Sequence, residues 1–147
     1  MRYVYLDTSA LAKRYAFETG TEMVDAVIDD KGNTVIIGNI AVTELYSALS
    51  KKRRTGEISE QDFLSALYRF EKDMAEKTYR FLEVDNHIIA ATKILILSYP
   101  ELRAYDSIHL ALALELFELH PTVVVSDETL IKTCRAEGLA VINPGLR

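Results

Sequence analysis

Short β-branched and aromatic runs alternate with longer helical ones along this chain, and that alternation constrains the fold more than any single residue. Strands are read over residues 2–6, 34–37, 79–84, 122–125 and 139–142. The helical period predicts helices over residues 8–17, 21–29, 40–54, 59–76, 86–97, 106–119 and 127–137. Turn residues punctuate the pattern: Gly20, Gly32-Asn33, Gly38-Asn39, Thr55-Gly56, Pro100, Pro121 and Gly138. Ser59 with Asp62 three residues later is close to a capping box. Strands separated by helices pair in parallel and carry helices on both faces, which predicts an α/β fold around a parallel sheet of about five strands.

The 147 residues suit one domain, 1–147, with one core. A hydrophobic content of 49% with 27% charged residues fits a globular chain. The formal net charge of -5 argues against coating nucleic acid through bulk charge, leaving only a local cationic surface for that task. Cys134 is the single cysteine, so no intrachain disulfide is expected, and it reads as a small buried hydrophobe. Met1 leads straight into a strand-like run, and the apolar stretches are short and interrupted by Lys93 or Glu115. A cytoplasmic protein with no membrane span is therefore expected.

Four acids are hard to explain by packing. Asp7 and Asp127 each end an apolar strand, where open α/β sheets place their sites. Asp106 opens the apolar helix Asp106-Ser107-Ile108-His109-Leu110-Ala111. Asp7, Asp106 and Asp127 could equally be helix N-caps, and capping leaves a second oxygen for another task. Glu44 has Ile40, Ala41, Ser47 and Ala48 as helical neighbours, so it needs a cation or a hydrogen-bond network from elsewhere. Gathered together, the four form a pocket that calls for a hard divalent ion, Mg²⁺ or Mn²⁺, whose natural chemistry is phosphodiester hydrolysis. His109 lies one turn beyond Asp106 and reads more readily as a hydrogen-bonded core residue than as a ligand. A phosphatase with Asp7 as covalent nucleophile would want a second Asp two residues on, where Ser9 stands.

At these positions the chain resembles PIN-domain ribonucleases, specifically the VapC-type toxins of prokaryotic toxin–antitoxin systems. The resemblance is carried by four motifs in order. They are Tyr5-Leu6-Asp7-Thr8-Ser9-Ala10-Leu11-Ala12-Lys13, Thr43-Glu44-Leu45 with Ala48-Leu49, Leu102-Arg103-Ala104-Tyr105-Asp106-Ser107-Ile108-His109-Leu110-Ala111, and Ser126-Asp127-Glu128-Thr129-Leu130. Gly138-Leu139 and Ile142-Asn143-Pro144 resemble the family's chain end. The resemblance implies a three-layer α/β/α sandwich, with Mg²⁺ or Mn²⁺ held by Asp7 and Asp106 and the acidic pocket completed by Glu44 and Asp127. It implies a metal-dependent endoribonuclease acting on tRNA or ribosomal RNA, a homodimer, and a cognate VapB-like antitoxin. A non-catalytic PIN-like module that binds RNA or protein is the alternative. Two positions depart from the family pattern: Val125 stands where many members carry a hydroxyl residue, with Ser126 adjacent, and Tyr105 replaces a small or aliphatic residue.

Lys51-Lys52-Arg53-Arg54 ends the helix that carries Glu44. It reads either as a solvated cationic helix end or as a phosphate-tracking patch for RNA, aided by Lys13, Arg14 or Arg103. Tyr46, Phe63, Tyr68 and Phe70 fall at helical spacing, which suits core packing, with a partner-binding groove as the other reading.

Overall fold

The computed structural model describes residues 2–145. β1 (Arg2–Leu6) leads into α1 (Thr8–Tyr15) and α2 (Thr21–Asp29), and β2 (Asn33–Gly38) into α3 (Ile40–Arg54) and α4 (Glu60–Ala75). β3 (Arg80–Leu82) leads into α5 (Asn86–Ser98) and α6 (Ala104–Glu115), and β4 (Thr122–Val124) into α7 (Glu128–Ala136) and β5 (Ala140–Ile142). A 3-10 turn, Phe117–Leu119, joins α6 to β4. The strands pair in parallel in the order β3-β2-β1-β4-β5, as the alternation predicts.

Side chains along a strand point to opposite faces, so a sheet covered on both sides needs apolar residues at every position. The central strands satisfy this. Val4 and Leu6 of β1, Val35 and Ile37 of β2, and Val124 of β4 enter one core with α1 to α4. Tyr5, Ile36 and Val123 enter the other with α5, α6 and α7. Phe63 and Phe70 of α4 are buried in the first core, whereas Tyr68 is exposed. Tyr46 is half-buried and donates its hydroxyl to Glu71. Cys134 is buried in the second core, as its sequence setting suggests.

Chain order fixes where a site can form. The chain builds outward from β1 to β2 to β3, then crosses back to set β4 on the other side of β1. The helix after β1 packs in one layer and the helix after β4 in the other. Asp7 and Asp127 therefore lie at the carboxyl ends of β1 and β4, where the strand order reverses and open α/β sheets place their sites. Gly38 closes β2 where α6 passes near: a Cβ there would lie 2.5 Å from Leu112 Cδ1 and 3.5 Å from the Tyr5 hydroxyl.

Several boundaries differ from the sequence reading. α6 starts at Ala104 rather than Asp106, because Arg103 is the extended residue before it (φ -82, ψ 165). Its end tightens after Glu115, and His120 turns left-handed (φ 51) ahead of Pro121, which disfavours a helical residue before it. β3 is shorter than expected because β2, its partner strand, ends at Gly38 opposite Leu82. α1 stops at Tyr15, where Ala16 becomes extended (φ -132), and Phe17 emerges 86% exposed.

Candidate active site

Asp7 follows β1 directly and caps α1. Its Oδ1 accepts from the Ala10 amide at 3.0 Å, and the Ser9 hydroxyl lies 2.8 Å from both carboxylate oxygens. The residue is only 4% exposed. Burial pushes its carboxyl above the ordinary carboxylate range, while the Ala10 amide and Ser9 pull it back and Asp106 adds to the rise. Asp127 caps α7 in the same way, with Oδ1 accepting from the Leu130 amide at 2.9 Å.

Asp106 sits in the first turn of α6 rather than at its cap. Burial raises its carboxyl, and Asp127 raises it further, against the opposing pull of Arg103. Arg103 spans the two acids, with Nε 3.6 Å from Asp106 Oδ2 and Nη2 3.6 Å from Asp127 Oδ2. Those separations allow Coulomb attraction but are too long for hydrogen bonds. Asp106 Oδ2 is thus a buried oxygen with no hydrogen-bond partner, and Ser126 Oγ is another.

Glu44 comes from α3 and joins this group through two side chains. Its Oε1 accepts from Thr8 Oγ1 at 2.8 Å and lies 2.8 Å from His109 Nε2. His109 Nδ1 lies 2.7 Å from the Tyr5 hydroxyl. His109 is therefore a hydrogen-bonded core residue whose ring lies between Tyr5 and Glu44. Asp7, Asp106 and Asp127 form one electrostatic cluster, and the Thr8–His109 pair links Glu44 to it.

Among the described residues, no group of three or more His, Cys, Asp or Glu side chains could hold a metal ion as the side chains stand. The donors nevertheless fit a hard divalent cation. They are oxygens, Asp7 is buried without a formal positive partner, and Asp106 Oδ2 lacks the donor that a buried carboxylate needs. Ser126 also bears on the Val125 departure. Val125 is buried in the core, while the Ser126 amide approaches Ser9 Oγ at 3.4 Å, beside Asp7. The neighbouring position thus reaches Ser9 through its backbone amide, while its own hydroxyl is buried without a partner.

The seven basic residues separate into distinct settings. Lys13 is buried, with Nζ donating to the Thr19 carbonyl at 2.8 Å and pairing with Glu18 at 3.4 Å. Arg14 is held by Asp25, Asp29 and Asp73 at 3.0–3.2 Å. Lys52 pairs with Glu57, and Arg53 pairs with Glu60 and lies 4.1 Å over the Phe63 ring. Lys51 and Arg54 form no ion pair among the described residues. Arg103 is 80% exposed along its side chain, with its guanidinium at the acids. Thr8, Ser9 and Tyr5 are the site neighbours the sequence reading passed over. The adjacent hydroxyl pair after Asp7 was a usable signal, whereas Tyr5 looked like any strand aromatic.

A partly buried group of acids at the switch point of a parallel sheet defines a class of α/β proteins that work on their ligand beyond the strand ends. A PIN domain family model matches residues 4–133, and the chain belongs to that family, whose members are generally nucleases. No curated protein matches the sequence. Solved structures share the fold. A chain of the FitAcB crystal structure from Neisseria gonorrhoeae is 21% identical with a TM-score of 0.65, over 96% of this chain and 97% of that one. A chain of VapBC2 from Rickettsia felis, bound to a DNA fragment from its promoter, is 17% identical with a TM-score of 0.63, over 97% and 98%. PAE2754 from Pyrobaculum aerophilum is 19% identical with a TM-score of 0.66, over 96% of this chain and 83% of that one.

Proposed function

We propose that this PIN domain is a metal-dependent endoribonuclease and the toxin of a type II toxin–antitoxin pair. The observation that carries the reading is the buried Asp7 carboxylate with the half-buried Asp106 near it, whose Oδ2 is a buried oxygen without a hydrogen-bond partner, beyond the sheet's switch point. Asp7 and Asp106 would hold Mg²⁺ or Mn²⁺, with Glu44 and Asp127 completing the pocket. The ion would supply charge neutralisation of the phosphodiester and an acidified water. The protein's part is to hold these carboxylates in place through the α1 cap, the α7 cap and the Thr8–His109 pair. Cleavage of a purified RNA pool with Mg²⁺, and its loss with EDTA, is the test. Intact RNA under both conditions would leave the non-catalytic module.

The RNA track follows from charge geometry. Helical rise places Lys51 and Arg54 about 10–15 Å along α3 from Glu44, within reach of phosphates flanking the cut. Lys52 and Arg53 are partly compensated, so the unpaired Lys51 and Arg54 should dominate, with Arg103 at the site itself. Substituting Lys51 and Arg54 with Gln should weaken RNA binding and flatten the slope of log K against log salt by about 0.7 per lost contact. An unchanged slope would reject the patch.

Two apolar surfaces offer room for the two protein partners. On α5, Ile94 and Leu97 are strongly exposed, Ile89 and Ile96 flank them at the edge of the solvent side, and Lys93 lies among them. That surface suits a second copy, since a two-fold contact sets the same patch against itself. The antitoxin is assigned to a separate cavity of about 460 Å³ lined by Phe17, Ile58, Asp62 and Arg69. Replacing Ile94 and Leu97 with Glu should convert a dimer to a monomer in light scattering, with antitoxin capture unaffected. A monomeric wild type would refute the α5 assignment.

A further inference from the structure

Behind the acids runs a chain of buried polar side chains drawn from four elements. Tyr5 comes from β1, Thr8 from α1, Glu44 from α3 and His109 from α6. Tyr5 is 0% and His109 3% exposed, so each polar atom must find its partner within the protein. The distances are 2.7 Å from the Tyr5 hydroxyl to Nδ1, 2.8 Å from Nε2 to Glu44 Oε1, and 2.8 Å from Thr8 Oγ1 to the same Oε1. A further approach of 3.3 Å links Thr8 Oγ1 with Nε2.

One proton arrangement satisfies all of these contacts. Glu44 as a carboxylate offers only acceptors, so Nε2 must carry a hydrogen to sit 2.8 Å from Oε1. Tyr5 has His109 as its hydrogen-bond partner, and its phenol is held protonated by burial and by the nearby Asp7 and Glu44 charges. Its O–H therefore donates to a bare Nδ1. An Nδ1–H imidazole would turn a lone pair toward the carboxylate. A doubly protonated ring would leave the Tyr5 hydrogen buried without an acceptor.

We infer that His109 is a positioning residue, locked by Tyr5 as the Nε2–H tautomer and pinning Glu44 Oε1 so that Glu44 keeps one orientation beside Asp7 and Asp106. The inference rests on the nuclease reading for its purpose, though not for its hydrogen-bond content. An outer residue that orients a ligating side chain acts through geometry, and its loss typically costs 10–100-fold in metal affinity or activity.

Two measurements decide it. Two-bond ¹H–¹⁵N NMR of the ion-free protein should show His109 with a protonated Nε2 and a bare Nδ1. An Nδ1–H or doubly protonated ring at neutral pH overturns the tautomer lock. Calorimetry with Mn²⁺ alone should show His109→Leu binding about 10–100-fold more weakly than the wild type, with melting in EDTA confirming that it folds. His109→Gln keeps an amide donor and should recover most of that loss. With RNA, His109→Leu should lower kcat while KM holds. Wild-type affinity and kcat in a folded His109→Leu protein overturn the positioning role. If the wild type itself takes up no Mn²⁺ and cuts no RNA, the nuclease reading falls, and the NMR result still decides the tautomer.

Discussion

Asp7→Asn is expected to abolish RNA cleavage, by about a thousandfold or more, while raising the thermal midpoint of the ion-free protein. The first effect follows from charge. A bound cation supplies several kcal/mol of transition-state stabilisation, equivalent to about three decades of rate, and a neutral amide holds a hard ion far less well. The second follows from burial. Asp7 is 4% exposed, and Asp106 lies near enough to raise its carboxyl further. A carboxyl raised in the folded state binds its proton more tightly there than in the unfolded chain. Stability is then full below the unfolded pKa of about 3.9 and falls as pH climbs through the raised folded value. Asn removes that decline. It also keeps the α1 cap, because its side-chain oxygen can accept from the Ala10 amide as Asp7 Oδ1 does at 3.0 Å. Each kcal/mol of relieved penalty raises the midpoint of a domain this size by about 2–4 °C. Melting in EDTA between pH 4 and pH 8 should show a pH-dependent loss in the wild type that is smaller in the variant. Full nuclease activity in a folded Asp7→Asn protein would end the assignment of this site.

The architecture was legible because a doubly covered parallel sheet leaves a strong one-dimensional trace. Every residue of β1 from Val4 to Leu6 must be apolar, and every helix must turn a periodic face inward. Asp7 and Asp127 were legible as strand-end residues for the same reason. Asp106 was misplaced by two residues because Arg103, the residue before α6, makes no side-chain cap bond and so leaves no capping signal in the sequence. What the sequence could not show were contacts between distant elements. Glu44 was rightly identified as needing a partner, yet its helical neighbours named none. Thr8 and His109 lie 36 and 65 residues away. The Tyr5–His109 bond spans 104 residues. Local patterns carry the period of an element but not the identity of whatever side chain it meets across the core.

The same blindness to distant contacts separates Arg14 from Arg54, two arginines alike in the sequence, and Arg14→Met exposes the difference. Arg14 was grouped with the RNA-facing cations. Its Nε donates to Asp73 at 3.0 Å, Nη1 to Asp25 at 3.2 Å and Nη2 to Asp29 at 3.1 Å. Burial works against its charge, but the hydrogen bonds to Asp73 and Asp29 outweigh that and hold it firmly protonated. Tyr15 donates to the same Asp73 oxygen at 2.6 Å and lies 2.5 Å from the Tyr79 hydroxyl. One guanidinium thus ties α1 to α2 and α4. Met would fill the stem's volume and strand three carboxylates. Breaking a fully buried ion pair costs about 3–5 kcal/mol. Asp25 and Asp29 are partly exposed and can turn to water, so about 2 kcal/mol is expected, a fall of roughly 4–8 °C in the midpoint. RNA binding by the folded fraction should keep its salt slope. The Lys51 and Arg54 substitutions should show the converse, a flatter slope with an unchanged midpoint. A variant of Arg14 that melts like the wild type but loses RNA affinity would return this residue to the nucleic-acid surface and remove it from the structural clamp.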